Sequence, residues 1–269
     1  MAAWILGYAK VSVDLPRNEH NYAVGLVMFF MRKSHLRIYR SRLHRLVTVF
    51  FVALPFVFFL FFARFAAISS SQLFENISTS FIRMLIAYAI AVILAWICAV
   101  LFYQGKRSVV ALPIFDVLQS FPTFAALPLV TYFFGATNAI VIFFLVVTII
   151  WPIFFSIISS LHLIKHDWEE AVEISRLSGI GYVKIFLFPI TIPGVVTGSI
   201  IGLGEGWEAL VATEIIVGAT TGLGSFFSFF SHNPRITAFG VLGFLILIFS
   251  INKLLWAPLL EWSHRKMGE

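Results

Sequence analysis

Of the chain's 269 residues, 60% are hydrophobic and only 12% charged, against roughly 45–50% and about 25% in soluble proteins. Even a chain of about 300 residues buries only around three-quarters of the surface it exposes when unfolded, so the surplus must face lipid and a water-soluble globule is excluded. The net charge is +6 and there is one cysteine; Cys98, inside an apolar run, excludes an intrachain disulfide and a thiolate-built metal site.

In chain order, residues 1–45 read as a basic cytoplasmic segment. Tyr22–Met31 is too short to cross a bilayer and reads as an interfacial helix; with no small-residue cleavage site after it, it is not a signal peptide. Residues 46–269 read as the transmembrane domain. A helix rises about 1.5 Å per residue and the hydrocarbon core is about 30 Å thick, so a span needs some 20 apolar residues. Six are expected: Leu46 to about Ile68, about Phe81 to Tyr103, two within Ser108–His162 turning at Gly135, Thr137 and Asn138, Pro189 to about Val217, and Ile236 to Pro258. The fold class expected is therefore all-α, with six transmembrane helices.

Loops rich in Lys and Arg stay on the cytoplasmic side. Arg32, Lys33, Arg37, Arg40, Arg42 and Arg45 precede the first span, Lys106 and Arg107 follow the second, and Arg265 and Lys266 follow the sixth. These fall on one side of a six-span chain, which places both termini in the cytoplasm. Ser69–Ser80, Phe134–Asn138 and Gly218–Arg235 become external loops. Orientation explains the positive charge better than nucleic-acid binding does.

Between the fourth and fifth spans lies the one internal loop rich in charge, residues 161–188. Asp167-Trp168-Glu169-Glu170 is a capping-box pattern, in which the Asp oxygen accepts an orphan amide and Glu170 reaches back to the cap. A helix is expected from Asp167 to Ser178, with Glu169 and Glu173 on one face and Trp168, Ala171, Val172 and Ser175 on another, stopped by Gly179 and Gly181. Such an element suits docking into another protein's groove; a re-entrant or membrane-lying connector is the other reading.

Pro113, Pro122 and Pro128 in the third span, and Pro189 and Pro193 in the fifth, break helical hydrogen bonds at membrane depth. Lipid does not tolerate that unless the freed carbonyls face protein or a wet cavity, so spans three and five are expected to line a pathway. Gly194, Gly198, Gly202 and Gly206 form a ridge for close approach of another helix, from a partner chain or from this one. Asp116, Glu205 and Glu208 lie within spans at a cost of roughly 2.5–3.5 kcal/mol each at the bilayer centre. Glu205 and Glu208 share a face, Glu214 lies about half a rotation away, and Arg83 and Arg64 are the candidate counter-ions. Two roles stay open for these charges: ion pairs that clamp helices, or contact with cargo. Gln119, Ser120, Thr123, Thr131 and Asn138 offer neutral hydrogen bonding along the same helices. His162 and His166 are four apart beside Asp167, but no third ligand is evident and no metal site is assigned.

The run from Glu170-Ala171-Val172 through Pro189, with Ile190-Thr191-Ile192-Pro193 and Thr197-Gly198 after it, resembles the "EAA" loop of permease subunits in binding-protein-dependent ABC importers. Leu203-Gly204-Glu205-Gly206-Trp207-Glu208-Ala209-Leu210-Val211-Ala212-Thr213-Glu214 and Gly222-Leu223-Gly224 resemble the nitrate/sulfonate/taurine group. So do Thr79 to Arg83 and Leu112-Pro113 through Asp116, Gln119 and Pro122 to Pro128. The similarity runs from Ser78 to Glu261. One departure is Arg176, which stands where the family usually has Gly, with Gly179 three residues on; it implies a coupling helix nearly a turn longer, with Glu173 and Arg176 paired.

The resemblance implies a MetI-like type I importer permease in the plasma membrane: half of a pathway, completed by a second permease subunit and served by an external solute-binding protein. Cytosolic ABC ATPase subunits would bind ATP and Mg, and the EAA-like helix would transmit their motion. No cofactor is expected in this chain, and it is not expected to be an enzyme. Gly105-Lys106 is followed by Arg107 and lacks the upstream Gly of a phosphate loop. The cargo implied is a small anion such as nitrate, a sulfonate or bicarbonate, although Glu205 and Glu208 would repel an oxyanion unless protonated or paired. The competing readings are a permease for another solute, such as amino acids, a proton-coupled secondary carrier and a non-transporting scaffold.

Overall fold

The computed structural model describes residues 42–66, 68–164, 170, 172, 174, 175, 178–256, 258 and 259. By contact, the chain falls into two units, Met1–Phe50 and Phe51–Glu269. Of the first, the described residues 42–50 are the opening turns of a helix; the interfacial helix expected at Tyr22–Met31 lies outside the described residues.

The described residues form helices α1 (Arg42–Phe65), α2 (Ser70–Phe102), α3 (Gly105–Gln119), α4 (Thr123–Phe134), α5 (Asn138–His162), α6 (Gly179–Tyr182), α7 (Phe188–Val217), α8 (Leu223–Phe229) and α9 (Pro234–Ile251). A π-helical turn at Val183–Leu187 joins α6 to α7, and another at Asn252–Trp256 extends α9. Five stretches are long and apolar enough to cross a membrane, and six if α3 and α4 count as one broken span. The chain is an all-helical, multi-pass membrane protein.

The six expected spans are present with two changes. The second begins at Ser70, not near Phe81, so the segment expected as the external loop Ser69–Ser80 is the first third of α2. Two of its polar side chains are taken up at the start of α8: Asn76 Oδ1 accepts from the Gly222 amide at 2.9 Å, and Ser80 Oγ accepts from the Leu223 amide at 2.8 Å. Tertiary partners thus make helical a stretch whose composition suggested a loop. The third span is broken at Ser120–Pro122, where α3 and α4 meet at 77°. Pro122 cannot donate and pushes Phe121 out of the helical region, so the break falls where the chain chemistry puts it.

The core is the pair α5 and α7, with α2 across both. Ala87, Ala91, Ala95 and Ala99 keep one stripe of α2 fully buried, and Leu85, Ile86, Ile90, Ile93 and Ile97 are exposed on its other faces. Gly194, Gly198 and Gly202 seat α7 on α5. A Cβ built on Gly198 would lie 2.5 Å from Ile153 Cα and 2.7 Å from the Pro152 carbonyl oxygen, and one on Gly206 would lie 2.9 Å from the Ile149 side chain. The glycine ridge is therefore filled by α5 of the same chain rather than offered to a partner chain: only without side chains can the two backbones approach this closely. Beyond Phe51, α1 packs ring against ring, Phe62 on Phe226 and Phe65 on Phe239.

Candidate functional site

Three polar rungs tie α2 to α7 in register. Trp96 Nε1 donates to Thr191 Oγ1 at 2.9 Å, and the Tyr88 and Ser199 hydroxyls meet at 2.8 Å. The third rung carries charge. Glu214 is fully buried and Arg83 is 5% exposed. Arg83 Nη1 donates to Glu214 Oε1 at 2.5 Å and to the Thr221 carbonyl at 2.8 Å, while Nη2 donates to Asn138 Oδ1 at 2.6 Å. Ser80 Oγ donates to the same carboxylate, and the Gly224 amide donates to Oε2 at 2.8 Å. One guanidinium thus fastens α2, the start of α5, the end of α7 and the loop before α8.

Gly222 and Gly224 make that closure possible. Gly222 has φ +123°, which side-chain-bearing residues rarely adopt, and a Cβ there would fall 2.5 Å from both Glu214 oxygens. A Cβ on Gly224 would collide with Glu214 Cβ. The Gly-Leu-Gly motif is thus explained by the carboxylate it wraps.

This changes the expected pairing. Arg83 belongs to Glu214, not to Glu205 or Glu208. The physical reason is the rotation of α7: the face bearing Glu214 packs under α2 and α8, whereas Glu205 and Glu208 lie on an exposed stripe with Ile201 and Ile215. Arg64 is exposed at the end of α1, and among the described residues the only ion pair within 4 Å is Arg83–Glu214. Asp116, expected to be buried, is also exposed; Gln119 Nε2 donates to its Oδ1 at 2.6 Å within α3.

A second site lies on the opposite side of α7. The break between α3 and α4 opens into a cleft of about 920 Å³, floored by α5 and reached by α7. Its polar groups are Gln119, Ser120, Thr123, Thr148, Ser156, Ser159 and Glu205, set among Pro122, Trp151 and Pro152. Glu205 is the one acidic side chain in that wall, and Glu208 is not part of it. Spans three and five were expected to line a pathway; α5 contributes as much. Its Thr148, Ser156 and Ser159 escaped the sequence reading because serine and threonine hydroxyls in membrane helices commonly bond back to their own helix. Thr148 and Ser159 do so here, to Phe144 and Phe155, yet they still face the cleft.

Asp167, Trp168, Glu169, Ala171, Glu173 and Arg176, from the expected coupling helix, lie outside the described residues. Glu170, Val172 and Ile174 are helical and Glu170 is exposed, but the chain turns at Ser175 and Ser178 is extended, with φ −144° and ψ 162°. The helix expected to reach Ser178 has therefore ended by then. Gly179 does not stop it: with φ +56°, Gly179 opens α6. A left-handed glycine lets the chain reverse into the next helix at that point. Pro189 lies inside the continuous helical run Gly179–Val217, directly after the π-helical turn at Val183–Leu187, and the wider turn there accommodates the amide that proline lacks.

Among the described residues no group of three His, Cys, Asp or Glu side chains could hold a metal.

Comparison with known proteins places this geometry. A family described as "Binding-protein-dependent transport system inner membrane component" matches residues 91–255. The nitrate import permease protein NrtB of Leptolyngbya laminosa is 32% identical over 155 residues, 57% of this chain and 55% of that one. The bicarbonate transport system permease protein CmpB of Synechococcus elongatus is 27% identical over 42% of this chain and 41% of its own. The taurine transport system permease protein TauC of Escherichia coli is 31% identical over 42% of this chain and 40% of its own. The chain thus spans about half the length of the first of these relatives and about two-fifths of the other two.

Proposed function

The chain belongs to the family of inner-membrane components of binding-protein-dependent transport systems, and from that premise we propose that it forms half of the pathway of an ATP-driven importer for a small anion. A second permease copy, identical or homologous, completes the pathway; an external solute-binding protein delivers the cargo; and separate cytosolic ABC ATPase chains bind ATP and Mg. In this reading the membrane is the plasma membrane and both termini are cytoplasmic, in keeping with the Lys and Arg distribution. The loop at 161–188 receives the ATPase motion through Glu170 and its neighbours, and α5 and α7, packed together, carry it outward as a shift between two packed arrangements.

The observation that carries this proposal is the polar cleft at the break between α3 and α4. A helix interrupted at membrane depth exposes main-chain carbonyls, which persist only against protein or water. Here the break borders a cavity furnished with hydroxyls, one amide side chain and the Glu205 carboxylate, and the Asp116 and Phe121 carbonyls at the break accept from the Ser120 and Thr123 hydroxyls. With these two hydroxyls and that of Thr148 donating to main-chain carbonyls, the donors that suit an oxyanion held weakly enough to leave are the second N–H of the Gln119 amide and the Ser156 hydroxyl. Relatives named for nitrate import and for bicarbonate transport support the anion, and the one named for taurine transport takes a molecule that carries a sulfonate. The lone carboxylate of Glu205 sets a limit on how tightly a bare anion is held there.

The test is reconstitution of the chain with its neighbouring ATPase and binding protein in vesicles, supplied in turn with nitrate, bicarbonate and taurine. Cargo-stimulated ATP hydrolysis, and uptake that survives an uncoupler, are expected. Uptake that persists without the ATPase and collapses with an uncoupler would establish a proton-coupled carrier instead.

A further inference from the structure

We propose that the corner between α2 and α3 is a seat for one anionic phospholipid, its phosphate held by Lys106 and Arg107 and an acyl chain lying in the groove beneath them. The corner encloses an open groove of about 490 Å³. Its walls are Phe102 from the end of α2 and Val110, Ile114 and Phe115 from α3, and its rim carries Lys106 and Arg107. Both cations are exposed, and the rest of the lining is apolar.

The geometry follows from the turn. Gly105, with φ +71°, lets the chain reverse directly from α2 into α3. Lys106 and Arg107 therefore stand in the first helical turn, where unpaired amides and the helix dipole add to the attraction for an anion. From Lys106 to Ile114 the helix advances by about 12 Å, so the charged rim and the apolar floor lie at different depths. A molecule that satisfies both ends has a negative head and a hydrocarbon tail, and the surrounding bilayer supplies it. Charge complementarity selects the anionic lipid over the zwitterionic one, since basic residues beside the membrane surface favour the former.

The experiment is native mass spectrometry of the full-length chain in detergent, with phosphatidylglycerol and phosphatidylcholine added in equal amounts. Preferential retention of one phosphatidylglycerol is expected. Lys106→Gln together with Arg107→Gln should lower that retention by roughly thirtyfold, about fivefold for each charge. Val110→Trp, at an exposed position on the groove wall, should lower it by filling the groove with the charges intact. Lys253→Gln, a cation elsewhere, should leave it unchanged. Equal retention of the two lipids, or wild-type retention in either groove variant, overturns the proposal. So does a chain dimer that Val110→Trp dissociates without altering lipid retention, which would mark the corner as a protein interface.

Discussion

Replacing Arg83 with Met tests the Arg83–Glu214 clamp most directly. The change removes the Nη1 bonds to Glu214 and to the Thr221 carbonyl and the Nη2 bond to Asn138. Glu214, with no exposed surface, would keep Ser80 Oγ and the Gly224 amide but lose its counter-charge. Removing one partner of a buried pair costs about 3–5 kcal/mol, because the other charge is left uncompensated. Removing both is far milder, so Arg83→Met with Glu214→Met should cost less than either single change, a coupling of about 3 kcal/mol or more. Denaturant unfolding in bicelles, followed by tryptophan fluorescence, reads these differences. Trp207, packed on Phe81 and Phe244 near the clamp, is a local reporter. If Arg83→Met stays within about 1 kcal/mol of the parent chain, below the range for a broken buried pair, or if the two single effects simply add, the clamp is not the device described.

Two further outcomes are expected. Gly198→Val should destabilise by at least the roughly 1–3 kcal/mol typical of an overpacked site, because its Cβ would sit 2.5 Å from Ile153 Cα; Gly204→Ala, with nothing within 4 Å, should melt like the parent, and thermal melting of the two compares them. Glu205→Gln should change the rate of cargo uptake in vesicles while leaving stability within about 0.5 kcal/mol, and unaltered uptake removes Glu205 from the route.

Much of this architecture was legible in the residues, and the parts that were not share a cause. Hydropathy located the spans, and the three prolines marked the third as interrupted, but only the structure shows that the break falls at Pro122 while Pro113 and Pro128 stay inside helices. Ser69–Ser80 was misread because its hydroxyls and amides look like a loop until the Gly222–Leu223 amides that satisfy them are in view. The glycine ridge announced a close approach but not whose helix approaches. Arg83 and Glu214 were each singled out, yet their partnership was not, since it depends on how α7 is turned against α2. Helical spacing fixes angles within one helix and says nothing of the angle between two. The Gly-Leu-Gly motif carried the missing signal: two glycines bracketing one residue demand something pressed against them, and Glu214 is that thing.

The backbone-to-backbone seating of α7 on α5 limits how the molecule can deform. Where side chains cushion a crossing, helices can slip past one another by small rotamer changes; bare glycines against peptide groups leave no such play, and a one-residue displacement would drive Val195 or Ser199 into Ile153 or its neighbours. The two rods therefore travel as a single plank, with the Glu214 clamp at the far end of α7. Whatever rocking the protein performs must bend at its weak corners: the kink at Ser120–Pro122 and the underwound π turns at Val183–Leu187 and Asn252–Trp256.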